Sequence, residues 1–282
     1  MKKPSSTDVI ENNSALWLSQ LSLANSLSNK YIRGSAMIIG GYPLTGAARL
    51  AAMAVARVGA GLTTVIVPEI AFSIYAGALT SVMVRAFKTS ADFEKLINDK
   101  RISAFLIGPG AGVNDDTQHH TLSLLNTGKP IVLDADAISA FEKDLPSLRN
   151  AIKGVCILTP HDGEFSRLFK LSDDRIKSAK NAAGESGAIV VLKGSETIIA
   201  APDGRVIVNH NAPATLATAG SGDVLAGIIT GLLAQGMQPH FAAAAATWLH
   251  GEAANTFGLG LIAEDLPSQL PHVLNKLFAK QT

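Results

Sequence analysis

The chain carries Thr218-Ala219-Gly220-Ser221-Gly222-Asp223, followed at once by the apolar run Val224-Leu225-Ala226-Gly227-Ile228-Ile229. Small residues before an apolar run mark a helix start, where backbone N–H groups are unpaired and the helix dipole attracts anions. Gly220, Ser221 and Gly222 would let a phosphate come close to the main chain. A carboxylate in the same turn would repel that phosphate, so Asp223 needs its own reason to be there. A general base beside a transferring phosphoryl group supplies one. The plainer reading is a capped helix, with Ser221 as the cap and Asp223 favoured by the dipole.

Other groups with chemical potential follow short apolar runs. Lys193-Gly194-Ser195-Glu196-Thr197 reads as a nucleotide contact or as a solvated lysine and a turn. Gly108-Pro109-Gly110 is either a rigid turn or a place where a flat ligand meets bare backbone. His161, in Thr159-Pro160-His161-Asp162-Gly163-Glu164, is a substrate-positioning group or part of a loop entering a helix. Asp134 and Asp136 are polar loop residues or hold Mg²⁺ through water, since Mg²⁺ keeps much of its hydration shell. Gly40-Gly41-Tyr42-Pro43-Leu44-Thr45-Gly46 lacks the Gly-Lys-Ser/Thr of a P-loop, and no G-x-G-x-x-G opens the first helix.

The elements that would position these groups read as alternating strands and helices. Continuous apolar runs at 36–39, 63–67, 104–107, 131–133, 155–158 and 189–192 predict strands covered on both faces. Helical patterns at 47–58, 91–99, 117–126, 163–169 and 174–185 separate them, and another spans 15–27. A mostly parallel sheet follows. Residues 197–201 and 205–209 flank Pro202-Asp203-Gly204 as a hairpin, and helices at 222–235, 240–256 and 270–280 close the chain. Residues 1–12 read as a flexible tail on one domain spanning 1–282. Ligands bind beyond the carboxyl ends of parallel strands, so the strand-end motifs would gather into one cleft.

Composition narrows the class. With 24 basic and 23 acidic residues, the net charge of +1 points away from nucleic acid and membrane surfaces and towards small molecules. The single cysteine, Cys156, excludes an internal disulfide or a cysteine metal site and reads as a buried thiol. The N-terminal stretch lacks a secretory pattern and no apolar run is long enough to span a bilayer, so a cytoplasmic protein is expected.

The ordered motifs resemble the ribokinase-like superfamily and, within it, the ADP- or ATP-dependent NAD(P)H-hydrate dehydratases. The matching text is Gly46-Ala47-Ala48-Arg49, Arg57-Val58-Gly59-Ala60-Gly61, Gly108-Pro109-Gly110, Leu133-Asp134-Ala135-Asp136-Ala137, Leu158-Thr159-Pro160-His161, Leu192-Lys193-Gly194 and 216–227. The resemblance implies a three-layer α/β/α fold. It also implies repair of nicotinamide nucleotides hydrated on the ring, coupled to conversion of ADP to AMP and phosphate, with Mg²⁺ expected. By the same resemblance Asp223 is catalytic, and Gly46, Ala47, Gly110, His161 and Asp223 bind the hydrated dinucleotide. Lys193, Gly194, Ser195, Glu196, Thr197, Gly220, Ser221 and Gly222 bind the nucleotide. Relatives suggest tetramers, which the alanine-rich helices would suit by close subunit packing.

Two departures stand out. Asp162 follows the histidine where family members commonly have proline, and Ala219 stands where they commonly have glycine. Two other activities fit the same residues. One is a vitamin or sugar kinase of the superfamily, which would leave the phosphate on its product. The other is a nucleotide-binding sensor without turnover. ADP and ATP both remain open as co-substrate, as do NADH and NADPH hydrates as substrate.

Overall fold

The computed structural model describes residues 9–21 and 29–279. The first half runs β1 (Val9–Glu11), β2 (Ser35–Ile39), α1 (Thr45–Arg57), β3 (Leu62–Pro68), α2 (Phe72–Ala78), β4 (Met83–Phe87), α3 (Ser90–Ile97), β5 (Ala104–Ile107) and α4 (Asp115–Asn126). It continues with β6 (Ile131–Leu133), α5 (Asp136–Ser139), α6 (Leu145–Ala151), β7 (Cys156–Leu158), α7 (Asp162–Leu168), α8 (Arg175–Ser186) and β8 (Ile189–Leu192). The hairpin β9 (Thr197–Ala200) and β10 (Val206–Asn209) precedes α9 (Ser221–Ala234), α10 (Pro239–Phe257) and α11 (Asp265–Ala279).

Among the described residues, ten strands join one sheet, in the order β1-β10-β9-β8-β7-β6-β5-β2-β3-β4. Only β9 runs antiparallel to its neighbours. Alternate strand residues feed two cores. Ala36, Ile38, Leu106 and Val191 pack under α1, α9, α10 and α11, while Met37, Ile39, Phe105 and Val190 pack under α3 to α8. Both faces are therefore covered, as continuous apolar strands require. Cys156 is buried among them, and burial pushes its thiol up, away from reactive thiolate.

Two glycines set the approach of α9 to α1. A Cβ on Gly227 would lie 2.3 Å from the Ala51 carbonyl oxygen, and one on Gly231 would lie 2.3 Å from Val58 Cγ1. This close crossing brings the N-terminus of α9 beside α1, with Leu50 against Gly220.

Three expectations change. Residues 9–12 are not a loose tail: β1 pairs with β10, and Asn12 is buried. Residues 1–8 lie outside the described residues. The helix expected over 15–27 is instead two 3₁₀ turns, Ser14–Leu16 and Leu18–Gln20, with 22–28 outside the described residues. The alanines of α10 are not a subunit surface, because Ala242 to Ala246 are fully buried inside the chain. Strand β4 and helix α2 were not signalled by the sequence pattern; β4 extends the sheet edge beyond β3, and α2 connects the two strands.

Candidate functional site

The N-terminus of α9 is not closed by a side chain. Gly220 takes the N-cap position at φ 90°, and no side chain caps the helix. The Ser221 hydroxyl donates instead to the Leu216 carbonyl, 2.8 Å away, so the capped-helix reading does not hold. The open turn keeps its capacity for an anion. Gly222 lies directly against the Lys193 ammonium: a Cβ there would sit 3.2 Å from Nζ.

Lys193 is itself held in place. Its Nζ lies 2.9 Å from Asp134 Oδ1 and 3.8 Å from Glu164 Oε2. Asp134 also accepts from the Thr159 hydroxyl at 2.7 Å. Burial works against the charge of Lys193, yet Asp134 and Glu164 outweigh it and raise its pKa. Burial pushes Asp223 up to about 7, and Asp134 adds repulsion while Lys193 pulls the other way. Asp136 and Glu164 repel it further. A carboxyl poised near neutrality suits a general base.

The loop after β6 aims these carboxylates under strain. Ala135 has φ 46°, a conformation that L-residues rarely adopt, between Asp134 and Asp136. Gly108 fits against it only because it lacks a side chain: a Cβ would lie 1.7 Å from the Asp134 carbonyl oxygen. Both aspartates considered as Mg²⁺ holders are engaged by protein donors. Asp134 takes Lys193 and Thr159, and Asp136 takes the Gly112 N–H at 2.8 Å. Among the described residues no group of three His, Cys, Asp or Glu could hold a metal.

A cleft of ≈ 820 Å³ opens over this cluster. Six of the residues expected to bind nucleotide line it: Lys193, Gly194, Ser195, Thr197, Ser221 and Gly222. His161 lines it too. Its Nδ1 accepts the N–H groups of Gly163 and Glu164, and Glu164 returns a bond to the His161 N–H. His161 therefore caps α7 while its ring borders the cleft. The cleft's other wall is Ala212, Pro213, Ala214, Leu216, Ala217 and Thr218, and α10 adds Thr247 and His250.

Other expected residues stand apart. Glu196 turns to His210, 3.3 Å away, and is not part of the cleft lining. Gly220 is wedged between Leu50 and Ala263. Gly110, at φ 67°, is needed where loops meet: a Cβ would lie 2.2 Å from the Leu44 carbonyl oxygen, and its own carbonyl abuts Gly41. That contact, not room for a flat ligand, explains the glycine. Leu44 in turn caps the helix whose first turn holds Gly46 and Ala47. Gly46 borders a smaller cavity of ≈ 290 Å³ with Arg49 and Arg57.

Another cavity, ≈ 460 Å³, lies beyond the carboxyl ends of β2, β3, β4 and β5, lined by Gly41, Tyr42, Glu69, Lys88, Asn114 and His120 among others. Strand order reverses between β2 and β5, the place where open α/β sheets bind ligands.

Asp162 has a visible role. It pairs with Arg175 Nη1, and Arg175 Nη2 donates to the Lys193 carbonyl at 3.1 Å. The carboxylate thus fixes the turn that carries Lys193 and Gly194. Neither Arg175 nor His250 was signalled by spacing, because Arg175 reaches the site from the first residue of α8 and His250 from inside α10.

The sequence profile described as NAD(P)H-hydrate dehydratase matches residues 36–275. The chain belongs to this family. It is 35% identical to the ADP-dependent (S)-NAD(P)H-hydrate dehydratase of Neisseria meningitidis, over 89% of this chain and 88% of that one. It is 39% identical to the bifunctional NAD(P)H-hydrate repair enzyme of Moorella thermoacetica, over 93% of this chain and 53% of that protein. The chain thus spans about half the length of that relative and of the Salinibacter ruber one. Among solved structures, the ADP/ATP-dependent NAD(P)H-hydrate dehydratase of Bacillus subtilis, co-crystallized with ATP/Mg²⁺, superposes with a TM-score of 0.84 at 28% identity. That match covers 95% of this chain and 99% of the other, and the ribokinase-like fold is shared.

Proposed function

We propose that this member of the family dehydrates the S-epimer of NAD(P)H hydrate to NAD(P)H, converting ADP to AMP and phosphate. The observation that carries the reading is Asp223: a carboxyl held near neutrality at an uncapped helix N-terminus, next to Gly222, which lines the cleft against Lys193.

The ring hydroxyl of the hydrate is a poor leaving group. Asp223 takes its proton as the oxygen attacks the β-phosphorus of ADP, and the bond to AMP breaks. The ring nitrogen's electron pair then expels phosphate, and the adjacent carbon loses a proton to restore the double bond. The free N–H groups at the start of α9 stabilise charge on the transferring group.

The residues suit an Mg²⁺ that arrives on the nucleotide. Carboxylates of Asp134, Glu164 and Asp223 act on a single ammonium, Lys193, and Asp136 adds its charge at Asp223, leaving excess negative charge. Asp136 and Glu164 would meet the ion through its waters. When bound it would offset phosphate charge during transfer. The same reading makes the protein a cytoplasmic homo-oligomer, with tetramers suggested by the family resemblance; among the described residues no helix is long and apolar enough to cross a membrane.

The test incubates purified protein with hydrated NADH or NADPH and either ADP or ATP. Recovery of the reduced-nicotinamide absorbance together with released phosphate supports the reading. Phosphate retained on an organic product would assign a kinase. Nucleotide binding without turnover would assign a sensor.

A further inference from the structure

Helix α1 presents two arginines that the chemistry above does not use. Arg49 and Arg57 line the ≈ 290 Å³ cavity that Gly46 borders, with Met53 between them. Positions 49, 53 and 57 share one face of the helix, and its rise sets the two arginines about 12 Å apart. Glu264, before the start of α11, adds the other charge of the lining.

Neither guanidinium has a hydrogen bond or a carboxylate partner among the described residues, and the exposed Glu264 pairs with neither. Arg49 is half-buried, and its Nε is sealed without a partner. The donors it can offer a ligand are therefore its two terminal nitrogens, which are not sealed in this way. A cation drawn partly out of water with no anion beside it is costly. An anionic group in the cavity would supply the missing partner, and a guanidinium grips phosphate through two parallel hydrogen bonds.

The cavity adjoins the reacting centre. Leu50 lines it, and a Cβ on Gly220 would lie 2.7 Å from Leu50 Cδ1 and 3.9 Å from Asp223 Oδ2. Leu50 and Asp223 thus meet at one glycine. The nucleotide cleft reaches the same turn of α9 through Gly222, on the Lys193 side. The first turn of α9 is therefore shared by the cleft and the arginine cavity.

We propose that Arg49 and Arg57 bind a phosphate group of the hydrated dinucleotide. The proposal rests on the reading of Asp223 as the base that acts on that substrate. The bridging pyrophosphate and the ribose 2′-phosphate of NADPH hydrate offer the same chemistry, so the test separates them.

Binding of hydrated NADPH and hydrated NADH is measured by calorimetry on the wild type, Arg49→Met, Arg49→Lys and Arg57→Met. Saturating AMP is present, to fill the cleft without supporting phosphoryl transfer. Arg49→Met is expected to bind NADPH hydrate about tenfold more weakly. Arg49→Lys keeps the charge without the fork and recovers part of the loss. Arg57→Met, at an exposed position, loses several-fold. A loss confined to NADPH hydrate assigns the 2′-phosphate, and an equal loss for both hydrates assigns the pyrophosphate. Affinity for ADP stays near wild type, and a loss for ADP alone overturns the proposal.

Folded methionine variants that bind both hydrates as tightly as the wild type overturn it as well. Should Arg49→Met not fold, Arg49→Lys and Arg57→Met decide, and unchanged affinity in both is the overturning result. A wild-type protein that binds neither hydrate overturns the proposed substrate too. One that binds them, with all variants binding equally, overturns only the role of the arginines.

Discussion

The Lys193 ammonium lies 2.9 Å from Asp134 Oδ1, joining the ends of strands β8 and β6 across 59 residues of sequence. Asp134 has a side chain only 2% exposed, so the pair is buried on the carboxylate side. Removing one member of a buried pair strands the other, which costs about 3–5 kcal/mol. Lys193→Met is therefore expected to lower stability to urea by about 3 kcal/mol. It also removes the positive charge that pulls the Asp223 pKa down, so the acidic limb of the pH–rate profile moves to higher pH. A variant of wild-type stability with an unmoved limb would show that the pair is not coupled to the base.

Asp223 gives the clearest pH signature. As a base it acts when deprotonated, and its carboxyl sits near 7. With hydrated NADPH, kcat/KM is expected to be flat above that pH and to fall about tenfold per pH unit below it. Asp223→Asn abolishes turnover while nucleotide binding persists. Stability gives the opposite sign. A carboxyl raised from 3.8 to about 7 in the fold holds its proton more tightly when native. Its contribution is complete below the unfolded value and is lost as pH rises through the folded one. Asp223→Asn should therefore raise the melting temperature at pH 8 and change it little at pH 4. Equal shifts at both would contradict a burial-raised carboxyl.

Much of this arrangement was legible from the chain, for identifiable reasons. The strands at 104–107, 131–133 and 189–192 are apolar throughout because helices cover both faces, and their ends carry polar and glycine-rich text. Strand β4 (MVRAF) escaped because, at an open edge, it carries an arginine and stays half exposed. Strand β1 is three residues long and is defined only by its pairing with β10. The loops after the strands were visible as a set, but sheet order decides which carboxylate meets Lys193. His250 gave no signal because its helix is alanine-rich and buried nearly all round, and packing alone fixes the face that meets the cleft.

Asp162 is given a place by geometry. Its pair with Arg175 is partly exposed, with Asp162 at 52%. Such pairs contribute about 0.2–1 kcal/mol, so Asp162→Ala should leave the melting temperature nearly unchanged. Its effect belongs to the turn that Arg175 holds through the Lys193 carbonyl. The expected outcome is a several-fold rise in nucleotide KM with kcat largely kept. Arg175→Met should match it, and the double variant should be no worse than either single one. Additive losses would mean that the two residues act separately.

The N-terminal strand is tied to the same cleft through asparagines. Asn12 Nδ2 donates to Asn209 Oδ1 at 2.9 Å and to the Ala244 carbonyl at 2.7 Å, while Trp17 Nε1 donates to Asn12 Oδ1 at 3.1 Å. Asn209 Nδ2 continues to Asn211 Oδ1 at 2.8 Å, and Asn211 bonds α10 beside the wall that begins at Ala212. Asn209 is fully buried, so Asn209→Leu breaks the chain at its centre and leaves Asn12 Nδ2 and Asn211 Oδ1 each short of a partner. An unmet buried polar group costs about 1–3 kcal/mol, and the expected loss of stability is about 2–4 kcal/mol. With the wall no longer held to α10, nucleotide KM should rise more than KM for the hydrated dinucleotide. Chemical denaturation and steady-state kinetics on the one variant check both. Lost stability with both KM values unchanged would make the asparagines a structural bridge with no part in shaping the cleft.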